Sequence, residues 1–260
     1  MQPIFDSLAH PTLSGDWLGR GVAAGFGTLV ADLRRAGMPR ACAVGLQGVE
    51  GYEHAAFAAA CRPHPELVPI AGVDPVADAG VGRMRALRDL GFRGIKLHPR
   101  FSRFTQDMQC LGDLFAAAGE AGLVVFLCTY LHCAAEQAPR QDPYYDIVAA
   151  LARAPHTRVV LVHGGDVQLL RYAELVRHND NLLLDLSMTM MKYAGSSLDM
   201  DLRFLLASFD RRVCVGTDWP EYGTQEVARR FEALSAGLTD AKRDNAAQAN
   251  LARFLGVAGT

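Results

Sequence analysis

Short apolar runs alternate along the chain with longer segments in which apolar residues recur every three to four positions. The short runs have the length of buried strands, and the helical period marks segments that pack over a sheet. The runs predict strands at 3–6, 41–47, 67–73, 93–97, 123–128, 158–162, 182–186 and 212–216. The other segments predict helices near 26–36, 52–60, 81–90, 108–118, 145–152, 166–176, 202–209, 226–234 and 239–255. Asp166 is the predicted cap of the sixth helix, and Ser196 with Asp199 is a predicted capping box before the seventh.

Alternating strands and helices indicate a parallel sheet, because each helix carries the chain back to the start of the next strand. Eight such units predict one α/β domain over residues 1–260, a (β/α)8 TIM barrel with an extra C-terminal helix. An open doubly wound sheet is the alternative. The loop after the first strand lacks a glycine-rich phosphate motif, so the barrel is favoured. Longer strand-to-helix loops place the working face at the carboxyl ends of the strands.

Composition narrows the class of partner. The chain carries 26 basic and 28 acidic side chains, and the net charge of -2 argues against binding to nucleic acid. No apolar stretch has the length of a membrane span, and the first residues do not resemble an export signal. Six scattered cysteines are typical of reduced thiols. We therefore expect a cytoplasmic protein with a small-molecule substrate, no nucleotide cofactor and no membrane partner. A homodimer is the assembly that the fold suggests.

Chemically active side chains cluster where the predicted strands end. In a barrel, all these positions share one rim. One histidine alone is more often a structural residue, but several histidines together with a lysine and carboxylates indicate an active site. The residues at the rim are His10, Gln47, Asp74, Lys96, His98, Cys128, His163, Asp185, Ser187 and Asp218.

Five segments together resemble the amidohydrolase-related family of the amidohydrolase superfamily: IFD at 4–6, GIKLHP at 94–99, LVHGG at 161–165, GTDWP at 216–220 and NLARFLG at 250–256. The resemblance implies a (β/α)8 barrel that hydrolyses amides, esters or lactones, with decarboxylation or hydration in some branches. It also implies one divalent metal, held by a His-x-His pair after strand one, a histidine after strand five and the aspartate after strand eight. The strand-six histidine lies beside that metal.

Two positions depart from the family pattern. The first histidine of the pair is Leu8, and the strand-five position is Cys128, whereas His10, His163 and Asp218 match. Two interpretations stay open. In the first, His10, Cys128, His163 and Asp218 supply the ligands of one zinc or manganese ion. In the second, no metal binds and Asp218 acts as general base on a water. His163, His10 and Lys96 then polarise the carbonyl, which favours activated substrates such as lactones.

Cations and aromatic rings in the rim loops indicate the substrate. Guanidinium and ammonium groups bind carboxylates, and flat rings suit a sugar or an aromatic acid. We predict hydrolysis of a small anionic or carbohydrate-like ester or lactone, or of an amide. The alternatives are a metal-dependent decarboxylase of an unsaturated or aromatic acid, a catalytically inactive binding protein and, more distant, an aldolase that uses Lys96. The predicted catalytic residues are Asp218, His163 and His10, and the predicted substrate-binding residues are Lys96, His98, Arg100, Tyr130 and Trp219, with Arg20, Arg103, Arg140, Lys192, Trp17, Tyr193 and Tyr222 as further rim residues.

Overall fold

Parallel strands follow one another around a barrel in the order of the chain. The structure, a computed structural model, describes residues 2–49, 51–99, 110–132, 134–137 and 142–258. Within these ranges the predicted (β/α)8 TIM barrel is confirmed, and each strand pairs in parallel with the next. The strands are β1 (Phe5–Ala9), β2 (Arg40–Val44), β3 (Leu67–Gly72), β4 (Gly94–Leu97), β5 (Val124–Cys128), β6 (Val159–Val162), β7 (Leu182–Asp185) and β8 (Val213–Cys214).

The last strand meets the first through single hydrogen bonds at its carboxyl end. The Asp218 backbone N–H donates to the Leu8 carbonyl at 2.8 Å, and the His10 N–H donates to the Trp219 carbonyl at 2.7 Å. The first strand also begins later than predicted and continues to Ala9. These bonds nearly close the barrel and bring His10 next to Asp218.

Amphipathic helices cover the outside of the barrel. On the first helix, Phe26, Leu29, Val30 and Leu33 form the buried stripe, and Gly37 ends the helix with a φ of 67°. The predicted 239–255 helix contains a π turn at Asn245–Ala249. The helices are α1 (Phe26–Ala36), α2 (His54–Cys61), α3 (Val81–Asp89), α4 (Leu111–Glu120), α5 (Pro143–Arg153), α6 (Leu169–Arg177), α7 (Thr189–Lys192), α8 (Leu198–Ser208), α9 (Thr224–Leu234), α10 (Asp240–Asp244) and α11 (Asn250–Leu255).

The C-terminal helix α11 packs on the interior of the barrel. Leu251 and Leu255 belong to the same buried cluster as Phe5 and Phe126, which point into the barrel. The buried Asn250 amide donates to the carbonyl of Val213 at 2.8 Å. The helix therefore covers the amino ends of the strands and leaves the carboxyl ends to the strand-to-helix loops.

Two predicted helix starts are wrong. Helix α6 begins at Leu169 without a side-chain cap, because Asp166 has a φ of 57° and its carboxylate accepts the hydroxyl proton of Tyr193 at 2.9 Å. Helix α8 begins at Leu198 rather than at 202. Ser196 Oγ accepts the Leu198 N–H at 3.3 Å and the Asp199 carboxylate accepts the Gly195 N–H at 3.1 Å, so both side chains cap backbone N–H groups but without the reciprocal pairing of a capping box. No helix of the described ranges has both the length and the apolar character to cross a membrane.

Candidate active site

A cleft of about 360 Å³ opens at the carboxyl ends of the strands. Loops that follow seven of the eight strands contribute to it, so residues far apart in the sequence meet there. The lining residues are His10, Trp17, Leu18, Arg20, Leu46, His98, Tyr130, His163, Met188, Lys192, Asp218, Glu221 and Tyr222.

His10 is held in one orientation at the end of β1. Its Nδ1 donates to the Val44 carbonyl at 2.9 Å, and its Nε2 lies 3.4 Å from Oδ1 of Asp218. The Trp17 ring stacks on the imidazole with centroids 5.9 Å apart. The Val44 contact fixes which nitrogen faces Asp218.

Asp218 follows the end of β8 in a left-handed backbone conformation with a φ of 57°. Burial alone would raise the pKa of Asp218, but the charge of His163, the hydrogen bond and charge of His10, and the charge of Lys96 outweigh it and hold that pKa well below its usual range. A carboxylate that is strained, buried and surrounded by cations is typical of a functional site.

His163 follows β6, and its charge and that of Asp218 act on each other. Its Nδ1 is 3.1 Å from Oγ and 3.2 Å from the carbonyl oxygen of Ser187, and its backbone N–H donates to Asp185 at 3.0 Å. Burial would lower the pKa of His163, but the charge of Asp218 and the hydrogen bond and charge of Cys128 raise it, against the opposing charge of Lys96. The imidazole of His163 is thus more readily protonated than that of a free histidine.

The glycines of the LVHGG segment make this placement possible. His163, Gly164 and Gly165 all have a positive φ, of 69°, 59° and 79°. A Cβ on Gly165 would lie 2.0 Å from the ring of Tyr172. The turn therefore requires glycine both for its backbone and for its close approach to the ring.

Cys128 lies below the cleft, fully buried, in contact with two histidines. Burial would raise the pKa of the Cys128 thiol, but charge and hydrogen bonds from His98 and His163 lower it well below its usual range. Cys128 does not line the cleft. The structure thus makes Cys128 a buried partner of His98 and His163, whose imidazoles do line the cleft.

The predicted substrate-binding residues take different positions. His98 and Tyr130 line the cleft. Lys96 is buried within the barrel, where its charge acts on both Asp218 and His163. Trp219 is buried and donates its Nε1–H to Asp32 at 3.0 Å, so it is not brought into the cleft. Arg100, with Arg103 and Arg140, lies outside the described residues.

Glu221 is a cleft residue that the sequence analysis missed. Its carboxylate accepts from Nε1 of Trp17 at 2.7 Å and from Arg20 at 3.3 Å. The only signal in the sequence was its position directly after the GTDWP segment. Met188 and Leu46 were missed as well, since apolar residues at a strand end resemble core residues.

A TIM barrel with a carboxylate and histidines at its carboxyl rim has the arrangement that is typical of barrel enzymes. A family model described as amidohydrolase matches residues 25–257. The chain therefore belongs to the amidohydrolase family, as the sequence resemblance implied. No curated protein matches the chain.

Solved structures share the barrel at low sequence identity. A putative 2-pyrone-4,6-dicarboxylic acid hydrolase from Pseudomonas putida has a TM-score of 0.71 at 18% identity, with 98% of each chain covered. A 5-carboxyvanillate decarboxylase from Sphingomonas paucimobilis has a TM-score of 0.74 at 13% identity, covering 99% of this chain and 100% of its own. A Burkholderia multivorans amidohydrolase with bound zinc has a TM-score of 0.65 at 18% identity, covering 98% and 100%. At these identities the likeness shows the fold, and the neighbours include both hydrolases and decarboxylases.

Members of this superfamily commonly bind a divalent metal, and the Burkholderia multivorans structure contains zinc. The donors present here do not fit such an ion. Leu8 contributes a fully buried apolar side chain where the family has a ligand, so the first pair of the family pattern retains only His10 as a donor. In the part of the chain that the structure describes, no three histidine, cysteine, aspartate or glutamate side chains converge as ligands of one ion. The positive charge of Lys96 acts on Asp218 from within the barrel.

Proposed function

We propose that the protein hydrolyses a small anionic ester or lactone. The observation that carries this proposal is the pairing, in one cleft, of an ionised carboxylate, Asp218, with an imidazole that is more readily protonated than that of a free histidine, His163. A base for water and a cation for the carbonyl oxygen are the two groups that ester hydrolysis requires.

The reaction begins when Asp218 accepts a proton from a water molecule as the water oxygen attacks the carbonyl carbon. The negative charge that develops on the carbonyl oxygen is stabilised by the positive charges of protonated His163 and of Lys96. The tetrahedral intermediate then collapses, the carbon–oxygen bond to the leaving group breaks, and that oxygen takes the proton from Asp218. His10 keeps the carboxylate in position through its Nε2, 3.4 Å away.

The charge environment limits the range of substrates. A carboxylate whose pKa is held low is a weak base, so it activates water poorly. Amides, which are poor electrophiles with poor leaving groups, are therefore disfavoured, whereas lactones and aryl esters remain accessible. The cations Arg20 and Lys192 at the cleft favour substrates that carry an additional negative charge.

The test is a panel of lactones and aryl esters that includes 2-pyrone-4,6-dicarboxylate, assayed with wild type and with Asp218→Asn. Proton-transfer catalysis contributes about 10²- to 10⁴-fold, so we expect a loss of that size in kcat/KM for the variant. Asp89→Asn, an exposed change of equal charge on α3, is the control and should retain wild-type rates. Equal activity of wild type and Asp218→Asn would refute the assignment of the base.

Two further measurements separate the alternatives. Detection of carbon dioxide from aromatic acids, in place of ester products, would favour a decarboxylase, and a stable protein that is silent with both panels would favour a binding protein. Elemental analysis of protein purified without added metal or chelator tests the metal. One equivalent of zinc or manganese lost in Asp218→Asn would show that the ion binds at this site. Cytoplasmic location and a homodimer stay predictions.

A further inference from the structure

Lys192 is a cleft residue that the hydrolytic steps above do not use. Its Nζ donates to the Tyr130 hydroxyl at 2.8 Å and lies 4.1 Å from the centre of that ring. It also lies 5.1 Å from the centre of the Tyr193 ring. Tyr193 in turn donates its hydroxyl to the fully buried carboxylate of Asp166 at 2.9 Å. A series of contacts thus runs from a buried carboxylate to an ammonium group in the cleft.

Such a position is unusual for an exposed lysine, here the last residue of helix α7. A lysine side chain loses considerable rotamer freedom when its end is held, and exposed lysines normally extend into water. Here two aromatic rings hold the ammonium through cation–π contacts and the hydroxyl of one of them accepts a hydrogen bond. The ammonium is therefore positioned before any ligand arrives, which lowers the entropic cost of binding an anion.

Lys192 also differs from Arg20 in the groups that surround its charge. Among the described residues, Arg20 is the other long cationic side chain that lines the cleft. Arg20 is paired with Glu221 at 3.3 Å, a carboxylate of the same cleft. Asp166, the acidic residue behind Lys192, is shared with His132 at 3.2 Å and with Tyr193. The ammonium of Lys192 thus contacts two phenol side chains, those of Tyr130 and Tyr193, and has no direct carboxylate partner among the contacts described above.

The protonation of Lys192 agrees with this geometry. Burial would lower the pKa of Lys192, but hydrogen bonds to Tyr130 and Tyr193 and the charge of Asp166 raise it. The side chain is therefore positively charged throughout the neutral range.

We infer that Lys192 is the specificity-determining residue of the cleft, binding a carboxylate of the substrate at a point remote from the carbonyl that reacts. Lys192 and Tyr130 line the same cavity as His163 and Asp218, so one small molecule can contact both ends. The statement that a carbonyl of the substrate reacts at Asp218 rests on the proposed hydrolytic function. The binding of an anionic group by Lys192 does not depend on it.

The test compares matched anionic and neutral probes. The substrates are 4-carboxyphenyl acetate and its methyl ester, and the binding probes are 4-hydroxybenzoate and methyl 4-hydroxybenzoate, titrated by calorimetry. The variants are Lys192→Met, which removes the charge, and Lys192→Arg, which keeps it. Arg229→Met removes an exposed charge on α9 outside the cleft and is the control for net charge. Thermal unfolding of each variant confirms that it is folded.

A hydrogen bond to a charged group corresponds to about 10- to 100-fold in affinity, so Lys192→Met should raise the Kd of 4-hydroxybenzoate and the KM of the anionic ester by that factor. The neutral probes and the Arg229→Met control should be unaffected, and Lys192→Arg should recover most of the binding. Equal losses with anionic and neutral probes, no loss at all, or failure of wild type to bind 4-hydroxybenzoate at millimolar concentration would overturn the inference. If the acid binds through Lys192 but neither ester is cleaved, the anion site stands and the hydrolase proposal fails.

Discussion

Asp6 connects the first strand of the barrel to Thr217, the residue that precedes Asp218 after the last strand. Its Oδ1 accepts the backbone N–H groups of Leu8 at 3.0 Å and of Thr217 at 2.8 Å, and its Oδ2 accepts the Thr217 hydroxyl at 2.6 Å. Burial is the largest influence on it and, with the charge of Asp185, raises the pKa of Asp6 from 3.8 to about 7 despite these hydrogen bonds. At alkaline pH the folded protein therefore carries a buried negative charge on Asp6, which lowers its stability.

The size of this effect follows from linkage between ionisation and folding. Because the folded pKa is raised, stability from neutral Asp6 is fully present below pH 3.8 and is lost as the pH rises to about 7. At 1.36 kcal/mol for each pH unit of difference, the complete loss is about 4 kcal/mol, of which about 3 kcal/mol falls between pH 5 and pH 8. His163, whose pKa is also raised, acts in the same direction but contributes equally to wild type and to an Asp6 variant.

Replacing Asp6 by asparagine isolates this contribution. The carbonyl oxygen of the new side chain keeps both backbone N–H donors, and its amide donates to the Thr217 hydroxyl, which then turns its proton to the Leu8 carbonyl at 3.2 Å. Relative to wild type, Asp6→Asn should therefore gain about 3 kcal/mol in unfolding free energy between pH 5 and pH 8.

Urea unfolding at pH 5, 6.5 and 8, followed by the fluorescence of the two tryptophans, measures this difference. Asp89→Asn, exposed at the end of α3, is the control for the change in net charge and should differ from wild type equally at all three pH values. A difference between wild type and Asp6→Asn that does not change with pH would refute the reasoning, since it would mean that Asp6 has the same pKa in the folded and unfolded chains.

Three further substitutions test the turn, the last helix and the acid–base pair. Gly165→Ala should cost about 2–5 kcal/mol in urea unfolding, because a Cβ would lie 2.0 Å from the Tyr172 ring. The control Gly195→Ala, with a φ of 83° but no atom within 4 Å, isolates the backbone strain and should cost about 1 kcal/mol. Equal losses in the two variants would contradict the steric reason. Asn250→Ala leaves the buried Val213 carbonyl and the half-buried Asp210 carbonyl without their donor, so it should cost about 2–4 kcal/mol by thermal unfolding. A loss below about 0.5 kcal/mol would contradict this reasoning. In the pH profile of kcat/KM, activity should decline on the alkaline side as His163 loses its proton, and His163→Gln should be slow and lack that decline; a decline that persists in the variant would assign it to another group.

Much of the candidate site could be predicted from the sequence, because the position of a residue along a parallel strand decides which end of the barrel it occupies. His10, His98, His163 and Asp218 each follow a strand, and all four line one cleft. The repeated pattern of strands and helices likewise predicted the barrel. Local periodicity carries this information, since each strand–helix unit folds back on its neighbour in the same way.

Contacts between loops could not be predicted, since they join residues that are far apart in the chain. Trp219 follows Asp218 directly, yet its ring turns away to bond Asp32 on α1. Lys192 obtains its position from Tyr130, 62 residues earlier. The protonation states were equally hidden, because burial and neighbouring charges from other strands set them. The sequence by itself determined the barrel and the rim on which the chemistry lies, whereas the tertiary structure alone decided which rim side chains meet, because loop conformation and the local dielectric depend on three-dimensional neighbours rather than on periodicity.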